Sequence, residues 1–312
     1  MTDEAQNRYR IFGLSVQSEI ALPELVAVDE TNAPDVFIRI SEREAGPPTD
    51  FQMTASGSKL VLSVPGIATF EMSEGASITV APQAIASLRD VRLFLLGSAF
   101  AAILHQRGLL PLHSNAIEVD GKAIAFLGHS GAGKSTLAAW FHDRGHGLLS
   151  DDVCVVGVDE NGRGIAHGGV PRVRLWRDAL EASGRSAESE ERATDEWEKY
   201  NVRADHSAIR LDAMLSHIYV FADGASEAGT VVSRLSGSRA VQALVENTYR
   251  GKYVKLLGMT QRHFDQCVSL AQKLAIFEVR RPWSLEMLDQ VGGSLEAHAK
   301  SFIAEQALSN AH

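Results

Sequence analysis

The stretch Gly128-His129-Ser130-Gly131-Ala132-Gly133-Lys134-Ser135-Thr136 constrains this chain more than any other. It fits G-x-x-x-x-G-K-[ST], a loop whose backbone N–H groups wrap a phosphate. Such a loop works only where a strand runs in and a helix runs out, so it dictates a local βα unit. Both flanks read that way. Ala123–Leu127 is an apolar run of strand length, and Thr136–Arg144 has helical composition with Gly145 where a C-cap belongs. Residues Gly128 to Thr136 are therefore the candidate nucleotide-binding set. Lys134 is placed to neutralise β- and γ-phosphate oxygens and Ser135 to ligate Mg²⁺.

Chemistry-bearing residues flank the loop on both sides. Upstream, Asp120-Gly121 stands between two apolar runs, a strong signal for a two-residue hairpin. With those two residues as the turn, the register sets His113 opposite Gly128. The imidazole would then sit at the mouth of the loop, although a polar residue at a strand start can also have no role. Downstream, Gly147-Leu148-Leu149 runs into Ser150-Asp151-Asp152. An apolar strand ending in acid is the pattern of a carboxylate that helps hold Mg²⁺. Adjacent carboxylates on a regular strand point to opposite faces, so one could serve the metal and the other an incoming hydroxyl. Ser135 and Asp152 are the candidate metal ligands, and His113, Lys134, Asp151 and Asp152 the candidate catalytic residues. Which aspartate is the base stays open. A plain solvated turn is the competing reading of the pair.

Residues 1–84 read as a small β-rich domain, with strands at Tyr9–Ser15, Asp35–Ile40, Lys59–Val64, Ala68–Met72 and Ser77–Val80 separated by turn residues. Residues 85–312 read as the P-loop domain, entered through one long apolar helix over 85–107 that Gly108 ends. Arg172, Arg174 and Arg177 could meet phosphate or an acidic peptide, or be ordinary surface. Residues 184–208 are highly charged and read as a solvated helix or a mobile loop, with a lid as the lesser reading. A net charge of −9 argues against nucleic acid or an anionic membrane as the main partner. The most apolar stretch, Leu93–Leu104, is too short to span a bilayer. Cys154 and Cys267 are too few and too far apart for a disulfide framework or a zinc site. The polar Met1–Ala5 does not read as a signal peptide, so the expectation is a cytoplasmic protein.

The loop alone does not choose among NTPases, switches, motors and kinases. There is no Asn/Thr-Lys-x-Asp run for reading guanine and no Leu-Ser-Gly-Gly-Gln run. The constellation around the loop is more specific. Leu112-His113, the loop itself, and Arg144-Gly145-His146-Gly147-Leu148-Leu149-Ser150-Asp151-Asp152 resemble the core of the bacterial HPr kinase/phosphorylase family. The match is close from Leu112 to Asp152 and loose in the rest of the C-terminal domain. It implies an α/β fold with the P-loop sheet shared by HPr kinase and phosphoenolpyruvate carboxykinase. It also implies ATP- and Mg²⁺-dependent phosphorylation of a protein serine, an aspartate of the pair as proton acceptor, and a homo-oligomer.

One part of the family pattern is absent. Where HPr kinases carry a second signature with a metal-binding glutamate, this chain has Arg174-Leu175-Trp176-Arg177-Asp178-Ala179, with Asp178 and Glu181 as the nearby acids. The opening, Tyr9–Leu14 through Leu22-Pro23-Glu24-Leu25, is similar to HPr-kinase-like proteins of peptide-modification clusters. In lasso-peptide clusters such kinases phosphorylate the C-terminal serine of the precursor peptide. The acceptor implied is therefore a precursor peptide or a protein. A small-molecule kinase on the same scaffold, an HPr-type kinase/phosphorylase and a non-catalytic nucleotide-binding regulator are the competing readings.

Overall fold

The computed structural model describes residues 7–309 apart from 30, 42–49, 184, 187–190, 193–198, 204–208, 225 and 227–228. It is a mixed α/β protein of two units. The first comprises Met1–Pro111 and Tyr249–Phe264, and the second Leu112–Thr248 and Asp265–His312. No helix among the described residues is long and apolar enough to cross a membrane.

The first unit is built on a sheet of eight strands: Asn7–Ile11 (β1), Leu14–Ser18 (β2), Val26–Ala27 (β3), Val36–Ile40 (β4), Gln52–Ser56 (β5), Lys59–Val64 (β6), Ala68–Ser73 (β7) and Ser77–Pro82 (β8). Their order is β3-β1-β2-β4-β8-β7-β6-β5. β2–β4 and β4–β8 are parallel, and the remaining pairs are antiparallel. Burial alternates along β6, β7 and β8, so Leu60, Leu62, Phe70, Met72, Ile78 and Val80 enter the core. The stretch Tyr9–Ser15, expected as one strand, is a hairpin. Phe12 (φ 55°) and Gly13 (φ 75°) form its turn, both in the left-handed region that two-residue hairpins require. β3 and β5 were not legible, being short or mostly exposed.

The helical stretch is interrupted: Leu88–Phe94 (α1), a π-helical turn Leu95–Ala99, and Phe100–Gln106 (α2). Gly108 ends it at φ 69°. It lies wholly in the first unit, so the division falls after Pro111 rather than at the expected 84/85 boundary. The reason is visible in its polar end. Gln106 Nε2 donates to the carbonyls of Ser58 (2.8 Å) and Met72 (3.1 Å), and Arg107 pairs with Asp35 at 3.0 Å.

Leu110–Leu112 (β9) carries the chain into the second unit. Ser114–Val119 (β10) and Lys122–Leu127 (β11) form the expected hairpin, with Asp120 (φ 47°) and Gly121 (φ 73°) as its turn and Ser114 opposite Leu127. Lys134–Asp143 (α3) follows the phosphate loop and leads to Gly147–Ser150 (β12), which pairs β10. Cys154–Val158 (β13) and Gly164–His167 (β14) are an antiparallel pair. Arg172–Trp176 (β15), Glu191–Arg192 (β16) and Lys199–Arg203 (β17) make a small separate sheet, with Arg177–Ala182 (α4) after β15. Thus 191–192 and 199–203 of the charged stretch are strands, not helix. Much of the remainder of 184–208 lies outside the described residues.

The sheet then gains Asp212–Phe221 (β18), Val231–Leu235 (β19) and Ala275–Arg280 (β20). The three longer helices of the C-terminal part are Gly237–Glu246 (α5), Thr260–Lys273 (α6) and Leu288–Ser309 (α7). β11, β18 and β20 run parallel, with Leu127 beside Val220 and Val220 beside Glu278. Their C-terminal ends therefore share one rim, where ligands of open α/β sheets bind. Phe126 stacks on Tyr219 (5.2 Å between centroids) in the core between sheet and helices.

Candidate active site

The phosphate loop leaves the end of β11 and feeds α3, the context its motif demands. At two of its glycines a side chain would be strained by positive φ and by a close neighbour. A Cβ on Gly128 (φ 154°) would lie 3.2 Å from the Cβ atoms of Ala132 and Phe221, and one on Gly133 (φ 75°) would lie 2.9 Å from Arg281 Nη2. Lys134 is buried, and its ammonium donates to the carbonyls of Gly128 (2.7 Å) and His129 (3.1 Å). Asn115, on β10, donates to the Lys134 carbonyl and ties the hairpin to the start of the helix.

His113 stands one residue before β10, next in register to the Ser114–Leu127 pair and so beside the loop. Its Nδ1 lies 3.2 Å from Asp152 Oδ1 and 3.1 Å from the Asp152 carbonyl. The two aspartates do not alternate as on a regular strand. Asp152 has φ 81°, a left-handed conformation costly for a residue with a side chain. With that bend, both carboxyl groups border one cavity.

Their partners differ. Asp151 accepts from the Ser135 hydroxyl (2.8 Å) and from the Arg174 backbone N–H (2.9 Å). Asp152 faces His113 and, at 3.6 Å, the Arg174 guanidinium. Burial raises the Asp151 carboxyl above the ordinary range, against its two hydrogen bonds. Burial also penalises the Asp152 carboxylate. There the His113 hydrogen bond and the charges of Arg174, His113 and Lys134 outweigh it, and the carboxyl falls to about 2. Neighbouring acids with pKa values driven apart suit different roles. Ser135 and Asp151 bring two hard oxygen donors together, the kind a Mg²⁺ ion takes from a protein. Among the described residues no group of three or more His, Cys, Asp or Glu side chains is arranged to hold a metal.

The cavity measures about 330 Å³ and is lined by the loop from Ser130 to Leu137, His113, Asp151, Asp152 and Arg174. It continues along Trp176, Asp178 and Ala179 and along Arg281, Trp283 and Leu285. Of the three arginines singled out in the sequence, Arg174 reaches the cavity, while Arg177 donates to the Tyr200 hydroxyl at 3.0 Å. Arg250 and Lys252 belong to the first unit. Asp178 lines the cavity and accepts from the Ala179 N–H at 2.8 Å, whereas Glu181 is exposed. Sequence reading missed Arg281 and Trp283. Arg281 donates to the Ala132 carbonyl and lies over the rings of Phe221 (4.6 Å) and Trp283 (5.2 Å). The available signal was an arginine pair at the end of the buried strand Ala275–Val279, on the rim that β11 also ends at.

No protein-family model matches the chain. Among curated proteins, HPr kinase/phosphorylase from Chlorobium phaeovibrioides is 43% identical over 44 residues, 14% of this chain. That stretch is 13% of the relative's own length. Among solved structures, the Hpr(Ser) kinase/phosphatase from Coxiella burnetii aligns with 65% of this chain and 99% of its own, at 11% identity and a TM-score of 0.33. An overlap that loose carries no argument. The chain is thus similar to an HPr kinase/phosphorylase over one short segment at 43% identity.

Proposed function

We propose that this protein is an ATP- and Mg²⁺-dependent kinase that phosphorylates a serine hydroxyl of a peptide or protein. The observation that supports this most is the meeting, in one cavity, of a complete phosphate loop with His113, Asp152 and Arg174 on one side and Ser135–Asp151 on the other. The short similarity to an HPr kinase/phosphorylase supports the same class of reaction.

In this reading the backbone N–H groups of residues 129–135 cradle the β-phosphate. Lys134 exchanges its loop carbonyls for phosphate oxygens. Ser135 and Asp151, already hydrogen-bonded to each other, would hold Mg²⁺. This gives Asp151 the metal-side place for which the sequence had suggested Asp152. When bound, the ion neutralises charge on the β- and γ-oxygens.

The serine oxygen forms a bond to the γ-phosphorus as the bridging β–γ oxygen bond breaks. ADP leaves, and the hydroxyl proton passes to Asp152. A carboxylate of such low pKa is a poor base for a resting hydroxyl. It suits a loose transition state, in which that proton becomes acidic only as the new P–O bond forms. His113 holds the carboxylate in place, and Arg174 and Arg281 offset charge spread over the transferring group.

At its finest, the proposal makes the acceptor the C-terminal serine of a lasso precursor peptide. The test is mass spectrometry of serine-terminated precursor peptides incubated with the protein, ATP and Mg²⁺. A mass gain of one phosphoryl group, mapped to the terminal serine, is the expected result. Phosphorylation of an internal serine would keep the kinase and discard the peptide-terminus reading. Phosphorylation of small alcohols alone would move the assignment to a metabolite kinase.

A further inference from the structure

The cavity lining is of two chemical kinds, and the phosphoryl-transfer reading leaves one of them unused. The polar lining is the loop with Lys134, His113 and the two aspartates. The apolar and aromatic lining is Trp176, Ala179, Trp283, Leu285, Leu288 and Val291. Three of these large side chains are left open to solvent, Trp176 at 41%, Trp283 at 46% and Leu285 at 40%. Exposed tryptophans on the wall of a concave site call for a planar apolar ligand.

Trp283 is also held in place. Its ring is stacked on the imidazole of His129, with centroids 5.8 Å apart and planes 12° off parallel. His129 is part of the phosphate loop, and its Nε2 lies 3.2 Å from Asp223 Oδ1. The Arg281 guanidinium lies 5.2 Å from the indole centroid while bound to the loop carbonyl of Ala132. Leu288 and Val291 are tied to the helix that follows the same loop. Trp140 of α3 donates to Asp289 of α7 at 2.7 Å, and α7 carries Leu288 and Val291. Trp283, Leu288 and Val291 are therefore held to the elements that form the phosphate cradle. A ligand with a polyphosphate and a flat ring satisfies both kinds of lining.

We propose that Trp283, braced by His129 and Arg281, is the stacking face for the nucleobase of the bound nucleoside triphosphate. The inference rests on the phosphoryl-transfer reading above. It adds what that reading leaves open, namely how the chain holds the nucleoside part without any guanine-reading motif. Stacking on an indole recognises a π-face rather than a hydrogen-bond pattern. The site accordingly accepts purine nucleotides with modest discrimination among them.

The test compares Mg²⁺–ATP with inorganic tripolyphosphate by titration calorimetry on the full chain, wild type against Trp283→Ala and Trp283→Phe. The proposal expects wild type to bind ATP more tightly than tripolyphosphate. Trp283→Ala should lose about tenfold in ATP affinity, in line with base–aromatic stacking, with tripolyphosphate affinity unchanged. Trp283→Phe should recover most of the loss. Equal losses for both ligands would overturn it, because the tryptophan would then only support the loop. Unchanged ATP affinity with a raised KM for the peptide would overturn it in favour of an acceptor-binding wall. Binding of tripolyphosphate but no preference for ATP in wild type would sink the nucleobase site while leaving the phosphate cradle intact. Binding of neither would remove both.

Discussion

At the scale of single residues, the two aspartates are the most informative. The sequence leaves open which of them is the base and offers Asp152 as the metal ligand. Asp151 shares a hydrogen bond with Ser135, and Asp152 is turned towards His113 and Arg174 by its left-handed backbone. Asp152→Asn keeps the size of the side chain and removes the proton acceptor. Single-turnover transfer should fall by about 10²–10⁴-fold, while ATP affinity in a calorimetric titration stays within a few-fold of wild type. Transfer at the wild-type rate would show that the proton goes elsewhere.

A second residue-scale prediction concerns stability. His217 is fully buried among the rings of Tyr219, Phe277 and Phe302, and burial lowers its pKa to about 3. The unfolded chain takes up a proton there below its ordinary pKa of 6.5, and the folded chain does not until about 3. Stability from this residue is therefore fully present above pH 6.5 and falls as pH drops towards 3, by up to about 1.4 kcal/mol per pH unit. His217→Phe should shrink the difference between urea midpoints measured at pH 7 and pH 4.5. An unchanged difference would place the acid sensitivity in other groups.

At the scale of elements, α3 and α7 both contribute residues to the cavity lining and approach each other closely. Gly292 permits it: a Cβ there would lie 2.5 Å from the Trp140 ring. Gly293, its neighbour, has nothing within 4 Å of the equivalent position. Gly292→Ala should cost about 1–3 kcal/mol through overpacking. Gly293→Ala should be neutral or stabilise by up to about 1 kcal/mol, since alanine is the better helix former. Chemical denaturation of the pair checks this, and equal effects would show that the helices are not in tight contact at Gly292. These packing demands also separate what was legible. The β10–β11 hairpin and its register could be read from Asp120-Gly121 because a two-residue turn fixes pairing locally. The interruption at Leu95–Ala99 could not, because an apolar helix sequence carries no mark of an extra residue per turn.

At the scale of the molecule, the first unit is discontinuous in sequence. Its core includes Tyr249–Phe264, where Tyr249 donates to the Pro111 carbonyl at 2.9 Å and accepts from His105 at 2.9 Å, and Tyr253 is buried. A fragment of residues 1–111 should consequently bind an apolar-surface dye and unfold with low cooperativity. The same fragment joined to 249–264 by a flexible linker should lose dye binding and unfold more sharply. Identical behaviour of the two would mean that the segment is not part of that folding unit.

By itself the sequence determined the strand–loop–helix around Gly128–Thr136, the hairpin that brings His113 to the loop, and the acidic end of β12. Each is specified by neighbours in the chain, through glycine conformation, turn geometry and strand periodicity. Only the tertiary structure decided the rest. It gave Asp151 to Ser135 and Asp152 to His113, brought Arg281 and Trp283 to the loop across parallel strands, and returned residues 249–264 to the first unit. Those outcomes depend on strand order and helix packing between segments far apart in sequence, which no local pattern of residues encodes.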